Sequence, residues 1–179
     1  MKNAVIASED RRFYNHWGID SKSILRAVVI NIINLGYEQG FSSLTQQVAR
    51  TLYDTIGFKK TITRKIKEII TAIQIERTYT KDEILEMYLN TVHFGHGTYG
   101  VEAATKRFFG KESNLLTIDE SALLVGLLPA PASYSPIHHP DRSIRRRNTV
   151  LRLMRDQKYI TKKKSVIRFK VNDYRPYPF

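Results

Sequence analysis

Three groups of polar side chains beside apolar runs are the candidates for chemistry in this sequence. The first begins with Glu9, which follows Ala4-Val5-Ile6-Ala7 and so lies at the predicted edge of a hydrophobic core. Loss of hydration at such an edge raises the pKa of a carboxyl group, as a general acid or base requires. An ordinary solvated glutamate is the structural alternative.

The second group is Gly40-Phe41-Ser42-Ser43-Leu44-Thr45-Gln46-Gln47, followed by Arg50. A glycine turn that leads into a helix presents free backbone N–H groups and the positive end of the helix dipole, which favour a phosphate. The hydroxyl and carboxamide side chains can bind sugars or amides. A plain N-cap is the alternative, with Ser42 or Ser43 capping the helix.

The third group is Arg64 and Lys65 with Glu68, on a helix predicted over about 63–78. Arg64 and Glu68 lie on one side of this helix, and the opposite side carries the stripe Ile66, Ile69, Ile70 and Ile73. Ile75 falls on the side of Glu68, so we expect Glu68 to be shielded from bulk water. A surface ion pair, worth a few tenths of a kcal/mol, is the alternative.

Helices must position these groups, since apolar residues recur with a helical period along most of the chain. Capping boxes at Thr80–Glu83 and Thr117–Glu120 mark two helix starts, and Gly110 marks a helix end. Alternation at Ile167, Phe169 and Val171 predicts a short strand in a basic tail. The helices are predicted over about 2–15, 21–36, 43–53, 63–78, 81–90, 101–109, 118–128 and 140–156, with loops at 95–100 and 129–140.

Composition limits the classes of function. The 179 residues include 29 Lys and Arg against 17 Asp and Glu, a net charge of +12, and no Cys. Disulfide frameworks, thiolate zinc sites and cysteine nucleophiles are therefore excluded. The positive charge indicates an anionic partner, which could be nucleic acid, a phosphate-bearing substrate or a membrane surface. The most apolar run, 24–35, is too short and polar for a membrane span.

Five motifs follow one another along the chain: Glu9-Asp10-x-x-Phe13-x-x-His16-x-Gly18, Gly40 to Gln47, Arg64-Lys65-x-x-Glu68, Lys81-x-x-Ile84-Leu85-Glu86-x-Tyr88-Leu89-Asn90, and Arg146-x-x-x-Val150-Leu151-x-x-Met154. Together they resemble the motifs of the family 51 glycosyltransferases. This family comprises the peptidoglycan glycosyltransferase (transglycosylase) domain of class A penicillin-binding proteins and the monofunctional transglycosylases. Phe41, Ser43, Arg50 and Thr51 depart from the usual glycine, threonine, lysine and asparagine.

The resemblance implies an all-α, lysozyme-like, two-lobed helical domain that polymerises lipid II into glycan strands and releases undecaprenyl pyrophosphate. It implies that Glu9 is the general base that deprotonates the 4-hydroxyl of the acceptor GlcNAc, and that Glu68 assists on the pyrophosphate side. The substrate-binding positions that it implies are Asp10, Phe13, His16, Ser43, Gln46, Gln47, Arg50, Lys60, Arg64 and Lys65.

The resemblance implies no cofactor other than a divalent metal ion, Mg²⁺ or Mn²⁺, at the pyrophosphate, with Glu68 as its candidate ligand. The implied partners are lipid II, the growing glycan on undecaprenyl pyrophosphate and an anionic membrane surface, with no nucleic acid expected. The implied location is the outer, periplasmic or extracellular, face of the bacterial cytoplasmic membrane. The fourth and fifth motifs are interpreted as scaffold, with Leu85, Tyr88, Leu89, Val150, Leu151 and Met154 in the core.

We expect 1–160 to be a glycosyltransferase domain that lacks the N-terminal part of the family, and 161–179 to be a basic tail or the start of a linker. The alternative function is a truncated, non-catalytic remnant that binds lipid II or a membrane surface. A membrane contact through Leu52, Tyr53, Ile56 and Phe58 is a further hypothesis, because these apolar residues adjoin Lys59 and Lys60.

Overall fold

Helices dominate the computed structural model, which describes residues 1–22, 24–25, 42–53, 56 and 61–161. In this part of the chain, seven α-helices accompany a single two-stranded sheet, which confirms the predicted all-α class. The helices are α1 (Lys2–Glu9), α2 (Leu44–Leu52), α3 (Ile62–Thr78), α4 (Lys81–Thr91), α5 (Val101–Phe109), α6 (Ile118–Leu127) and α7 (Pro140–Asp156). Short 3-10 helices cover Phe13–Asn15 and Ser113–Leu115. None of the described helices is long and apolar enough to cross a membrane.

The chain divides into two compact units, Met1–Arg11 with Leu89–Phe179, and Arg12–Tyr88. In the first unit α6 packs along α7, and α1 packs against both. Every residue of α6 from Ser121 to Leu127 is buried. A Cβ added at Gly126 would lie 3.2 Å from the Arg146 side chain, so this glycine permits the close approach of α6 and α7.

A β-hairpin and α5 complete the first unit. Strand β1 (His93–Gly95) pairs antiparallel with β2 (Thr98–Tyr99), where the sequence predicted only a glycine-rich loop. Gly100 begins α5 with a φ of 79°, and Gly110 ends it in the left-handed conformation, as predicted. The core cluster of this unit consists of Phe94, Ala104, Phe108, Leu124 and Leu127.

The second unit is built on α2 and α3, which pack against each other. Helix α3 buries Glu68, Ala72 and Ile75, and it leaves three isoleucines on its opposite face exposed. The exposed fractions are 81% for Ile62, 52% for Ile66 and 53% for Ile70. The predicted arrangement of Glu68 and Ile75 on one side, opposite the isoleucine stripe, is therefore confirmed.

The helix predicted over 2–15 was wrong beyond Glu9. Asp10 leaves the helical conformation, with φ −153° and ψ 80°, and its N–H donates to the carbonyl of Ile6 as the helix ends. The chain passes from the first unit to the second just beyond this point, between Arg11 and Arg12. Most of the predicted 21–36 helix and the predicted tail strand lie outside the described residues.

The scaffold interpretation of the fourth and fifth motifs agrees with the burial of their apolar residues. Leu85, Tyr88, Leu89, Val150, Leu151 and Met154 are all buried. Both capping boxes are formed as well, since Thr80 and Glu83 exchange hydrogen bonds and Thr117 and Glu120 do the same. These motifs therefore anchor α4, α6 and α7.

Candidate active site

The centre of the candidate site is Glu68, whose side chain is completely buried in the second unit. Its carboxylate faces three cations from two helices. Arg64 Nη1 lies 3.2 Å from Oε1, Lys65 Nζ lies 3.2 Å from Oε2, and Arg50 Nη1 lies 3.7 Å from Oε1. Arg64 and Lys65 come from the same face of α3 as Glu68, one turn earlier, whereas Arg50 comes from the last turn of α2.

Lys65 joins the second and third motifs. Its ammonium donates to Ser42 Oγ at 2.8 Å and to Gln46 Oε1 at 2.9 Å, besides its contact with Glu68. Loss of hydration lowers the pKa of Lys65; the Glu68 carboxylate opposes that shift, and the neighbouring arginines add to it. Lys65 thus links the start of α2 to α3 through hydrogen bonds, and its protonated form is partly desolvated there.

The cluster presents positive charge that a ligand can reach. Three cationic side chains face the single carboxylate of Glu68. The cationic side chains keep 16–28% of their surface exposed, whereas Glu68 keeps none. An anion can therefore approach the cations from solvent while Glu68 holds them from within, and Arg guanidinium groups suit phosphate oxygens especially well.

The same surroundings do not fit a divalent metal ion. Mg²⁺ and Mn²⁺ are bound by several oxygen ligands, which carboxylates, carbonyls and water supply. Both oxygens of Glu68 instead face cations. Within the described ranges, no group of three or more His, Asp or Glu side chains is arranged to hold a metal. The surroundings of Glu68 therefore suit an anion better than a divalent cation.

Residues of the first motif beyond Arg11 form a tight turn in the same unit. Phe13 is fully buried and His16 is nearly so, with their rings 6.2 Å apart in an edge-on arrangement. Gly18 follows with a φ of 73°, and its carbonyl accepts a hydrogen bond of 2.5 Å from the side chain of Ser43. Ser43 also caps α2 by accepting from the Gln46 N–H. The structure thus brings the first and second motifs into direct contact.

Glu9 and Asp10 belong to the other unit. Glu9 ends α1 two residues after the buried Ala4–Ala7 run, is itself half-buried, and accepts a hydrogen bond of 3.3 Å from Ser8. This agrees with its expected place at the edge of a core. Asp10 is buried, with 6% of its surface exposed.

The remaining expected residues and the ones that sequence reasoning missed complete the site. Gln47 accepts a hydrogen bond of 3.4 Å from the hydroxyl of Tyr88, and Lys60 lies outside the described residues. Ser42, Glu76 and Lys81 were not among the expected catalytic or substrate-binding residues, although Ser42 accepts from Lys65, Glu76 accepts from Thr45, and Lys81 donates to the His16 carbonyl. A usable signal existed for Glu76, because it lies eight residues after Glu68, two helical turns further along α3.

Comparison with known proteins finds one matching family and several similar penicillin-binding proteins. The sequence profile of the family described as Transglycosylase matches residues 1–155. The chain is 49% identical over 166 residues to penicillin-binding protein 1F of Bacillus subtilis, covering 93% of this chain and 23% of that protein. It is 45% identical over 161 residues to penicillin-binding protein 1A of Escherichia coli, covering 90% of this chain and 19% of that protein.

Among solved structures, the chain is similar to the 2.6 Å crystal structure of penicillin-binding protein 1A from Haemophilus influenzae. The match has 45% sequence identity and a TM-score of 0.47, and it covers 49% of this chain and 13% of that one. The chain thus spans about a fifth of the length of the curated relatives described above.

Proposed function

Because the chain belongs to the Transglycosylase family, we propose that it is a peptidoglycan glycosyltransferase that polymerises lipid II. The donor is the growing glycan on undecaprenyl pyrophosphate, and the acceptor is a new lipid II. The 4-hydroxyl oxygen of the acceptor GlcNAc attacks the anomeric carbon of the donor. A glycosidic bond forms, the bond from that carbon to the pyrophosphate breaks, and the pyrophosphate leaves with the electron pair.

The observation that carries this proposal is the cluster of Arg50, Arg64 and Lys65 around buried Glu68. A departing pyrophosphate gains negative charge as its bond breaks, and fixed cations in a partly desolvated site stabilise that charge. Because the leaving group is then stabilised electrostatically, the reaction depends less on a protonating acid than glycoside hydrolysis does. The three cations held around the Glu68 carboxylate suit this role.

Glu68 acts in this proposal through the cations. Its side chain has no exposed surface, so it reaches a ligand only by holding Arg50, Arg64 and Lys65 in place. It also reduces the repulsion among the three cations, which lie within 4 Å of the same carboxylate. In this proposal Gln46 and Ser43 support substrate binding indirectly, because Gln46 accepts a hydrogen bond from Lys65 and Ser43 donates one to the Phe13–Gly18 turn.

Glu9 is proposed as the base that accepts the proton of the acceptor hydroxyl. Glu9 is half-buried at the end of α1, so its carboxylate lies at the edge of a core, and a carboxylate is one of the groups that act as general bases. The proton moves to Glu9 as the new glycosidic bond forms, which balances the step. Asp10, Phe13 and His16 are proposed to contribute to substrate binding.

The proposed substrate also implies that the protein works at a membrane. Lipid II has a polyprenyl chain, so we propose that the domain works at the outer face of the cytoplasmic membrane. The net charge of +12 favours an anionic lipid surface. The exposed Ile62, Ile66 and Ile70 supply an apolar face for contact with lipid. The hypothesised contact through Leu52, Tyr53, Ile56 and Phe58 is compatible with Leu52 and Tyr53, which are both 44% exposed, and it was wrong for Ile56, which is buried. Phe58 lies outside the described residues.

Turnover of purified lipid II in detergent tests the proposal. The 179-residue chain should produce glycan polymer, and Glu9→Gln should abolish the polymer while the helical circular dichroism signal stays unchanged. Glu86→Gln, an exposed glutamate of the fourth motif, is the matched control and should retain activity. Full activity of Glu9→Gln would refute the assignment of the base. Binding of lipid II by the unaltered chain without polymer would instead favour the binding-only alternative.

A further inference from the structure

A single lysine fastens the turn of the first motif to α4. The Lys81 ammonium donates to the main-chain carbonyl of His16 at 2.6 Å and to Glu76 Oε1 at 2.7 Å. It also lies 4.5 Å from the ring centroid of buried Phe13. One side chain therefore contacts two residues of the turn and one residue of α3 at the same time.

Glu76 extends this connection to the second motif. The same oxygen that accepts from Lys81 also accepts a hydrogen bond of 2.5 Å from Thr45 Oγ1, near the start of α2. Thr45 is fully buried, and only 5% of the Glu76 side chain is exposed. One oxygen atom of Glu76 on α3 therefore accepts hydrogen bonds from both Thr45 on α2 and Lys81 on α4.

The turn also packs directly on α3 beside this carboxylate. A Cβ added at Gly18 would lie 3.0 Å from the Ala72 carbonyl and 3.2 Å from Glu76 Cγ. The carbonyls of His16 and Gly18 both accept side-chain hydrogen bonds, from Lys81 and Ser43 respectively. The backbone on either side of Trp17 is therefore held at two points.

We propose that Lys81 and Glu76 are positioning residues, which set the Phe13–Gly18 turn against the start of α2 for substrate binding. This inference rests on the proposed function. A buried ion pair is a poor source of stability, because apolar side chains of similar volume often stabilise a protein as well. The pair instead defines the geometry of its neighbours, because an ammonium and a carboxylate can each hold several partners at hydrogen-bond distance.

Trp17 gives a direct readout of the turn. It is the only tryptophan of the chain, it lies between the two held carbonyls, and 70% of its surface is exposed. Lys81→Met should change its fluorescence emission and its quenching by acrylamide, because the turn loses the bond at His16. Lys81→Arg keeps the charge and the donors and should restore most of the signal.

Kinetics with lipid II distinguish positioning from general stability. Lys81→Met and Thr45→Val should raise KM by about tenfold and lower kcat much less, because the turn carries residues proposed to bind substrate. Lys81→Arg should recover most of the KM. Lys106→Met is the matched control, since it removes a lysine that pairs with Glu102 at 3.2 Å on the exposed surface of α5. It should leave KM and the Trp17 signal unchanged.

Three results decide the proposal. A raised KM with an altered Trp17 signal, both recovered in Lys81→Arg, supports it. A lowered unfolding temperature in Lys81→Met with KM and the Trp17 signal unchanged overturns it, because the pair is then only structural. If Lys81→Met does not fold, Thr45→Val decides by the same two measurements. An unaltered chain that makes no polymer contradicts the proposed function, while the Trp17 signal still tests the contact.

Discussion

Replacing Glu68 by glutamine tests the electrostatic logic of the site most directly, because the side chain keeps its shape and loses only its charge. At an effective dielectric constant near 20, each contact of 3.2 Å corresponds to roughly 5 kcal/mol of attraction before the cost of desolvation. Removing one partner of a buried pair typically costs about 3–5 kcal/mol. Because the cations keep 16–28% of their surface exposed, we expect the lower end, about 3 kcal/mol.

Thermal unfolding followed by circular dichroism measures this loss. For a chain of this size, each kcal/mol shifts the unfolding midpoint by roughly 2–4 °C, so Glu68→Gln should unfold about 6–12 °C lower. It should also lose polymerising activity, because the cations are no longer held together. Glu86→Gln, which removes an exposed charge from α4, should leave the midpoint where it was.

A second substitution separates repulsion among the cations from loss of packing. In the Glu68→Gln background, Arg50→Gln removes one of the remaining cations and should recover about 1 kcal/mol. In the unaltered chain, Arg50→Gln removes an attractive contact of 3.7 Å and should be destabilising. An unchanged midpoint in Glu68→Gln, or an Arg50→Gln effect of the same sign and size in both backgrounds, would refute the electrostatic reasoning.

Three further predictions concern the hairpin, Lys65 and the apolar face. Gly100→Ala should lower the free energy of unfolding, measured with denaturant, by about 2–4 kcal/mol, because the added Cβ would lie 2.6 Å from the Asn90 carbonyl oxygen. Gly97 has a similar positive φ but no atom within 4 Å of an added Cβ, so Gly97→Ala should lower the free energy of unfolding by only about 1 kcal/mol. Since the pKa of Lys65 lies below the ordinary 10.5, its charge is lost early as pH rises, so KM for lipid II should rise at alkaline pH below 10.5, and Lys65→Arg should move that rise to higher pH. Ile66→Asp should reduce sedimentation with anionic vesicles; unchanged sedimentation would exclude the isoleucine face as the contact.

Local signals account for what the sequence predicted well. The cap at Ser43, the capping box at Thr117, the stop at Gly110 and the start at Pro140 each act within a few residues, and the structure confirms them. The break after Glu9 could not be found in this way. Residues 10–15 are compatible with a helix, and no local signal marks Asp10, which leaves the helical conformation with φ −153° and ψ 80°.

The same distinction holds for the candidate site. Arg64, Lys65 and Glu68 share one helix, so their spacing alone predicts that they meet. The bond from Lys65 to Ser42 joins residues 23 positions apart, and the bond from Glu76 to Thr45 joins residues 31 positions apart. The periodic pattern of apolar residues in a sequence does not predict such contacts between distant positions. The family resemblance named several residues of the site, but it included Lys81 only in a motif interpreted as scaffold, and it did not include Glu76.

Helix α3 buries a charged side chain on one face and exposes large apolar side chains on the other, and both features bear on the proposed substrate. One face buries Glu68 against three cations at a cost in desolvation, and the other exposes Ile62, Ile66 and Ile70 to water. An anion relieves the first cost and a hydrocarbon relieves the second. The substrate that we propose, a polyprenyl pyrophosphate at a membrane, has an anionic end suited to the first face of this 17-residue helix and a hydrocarbon end suited to the second.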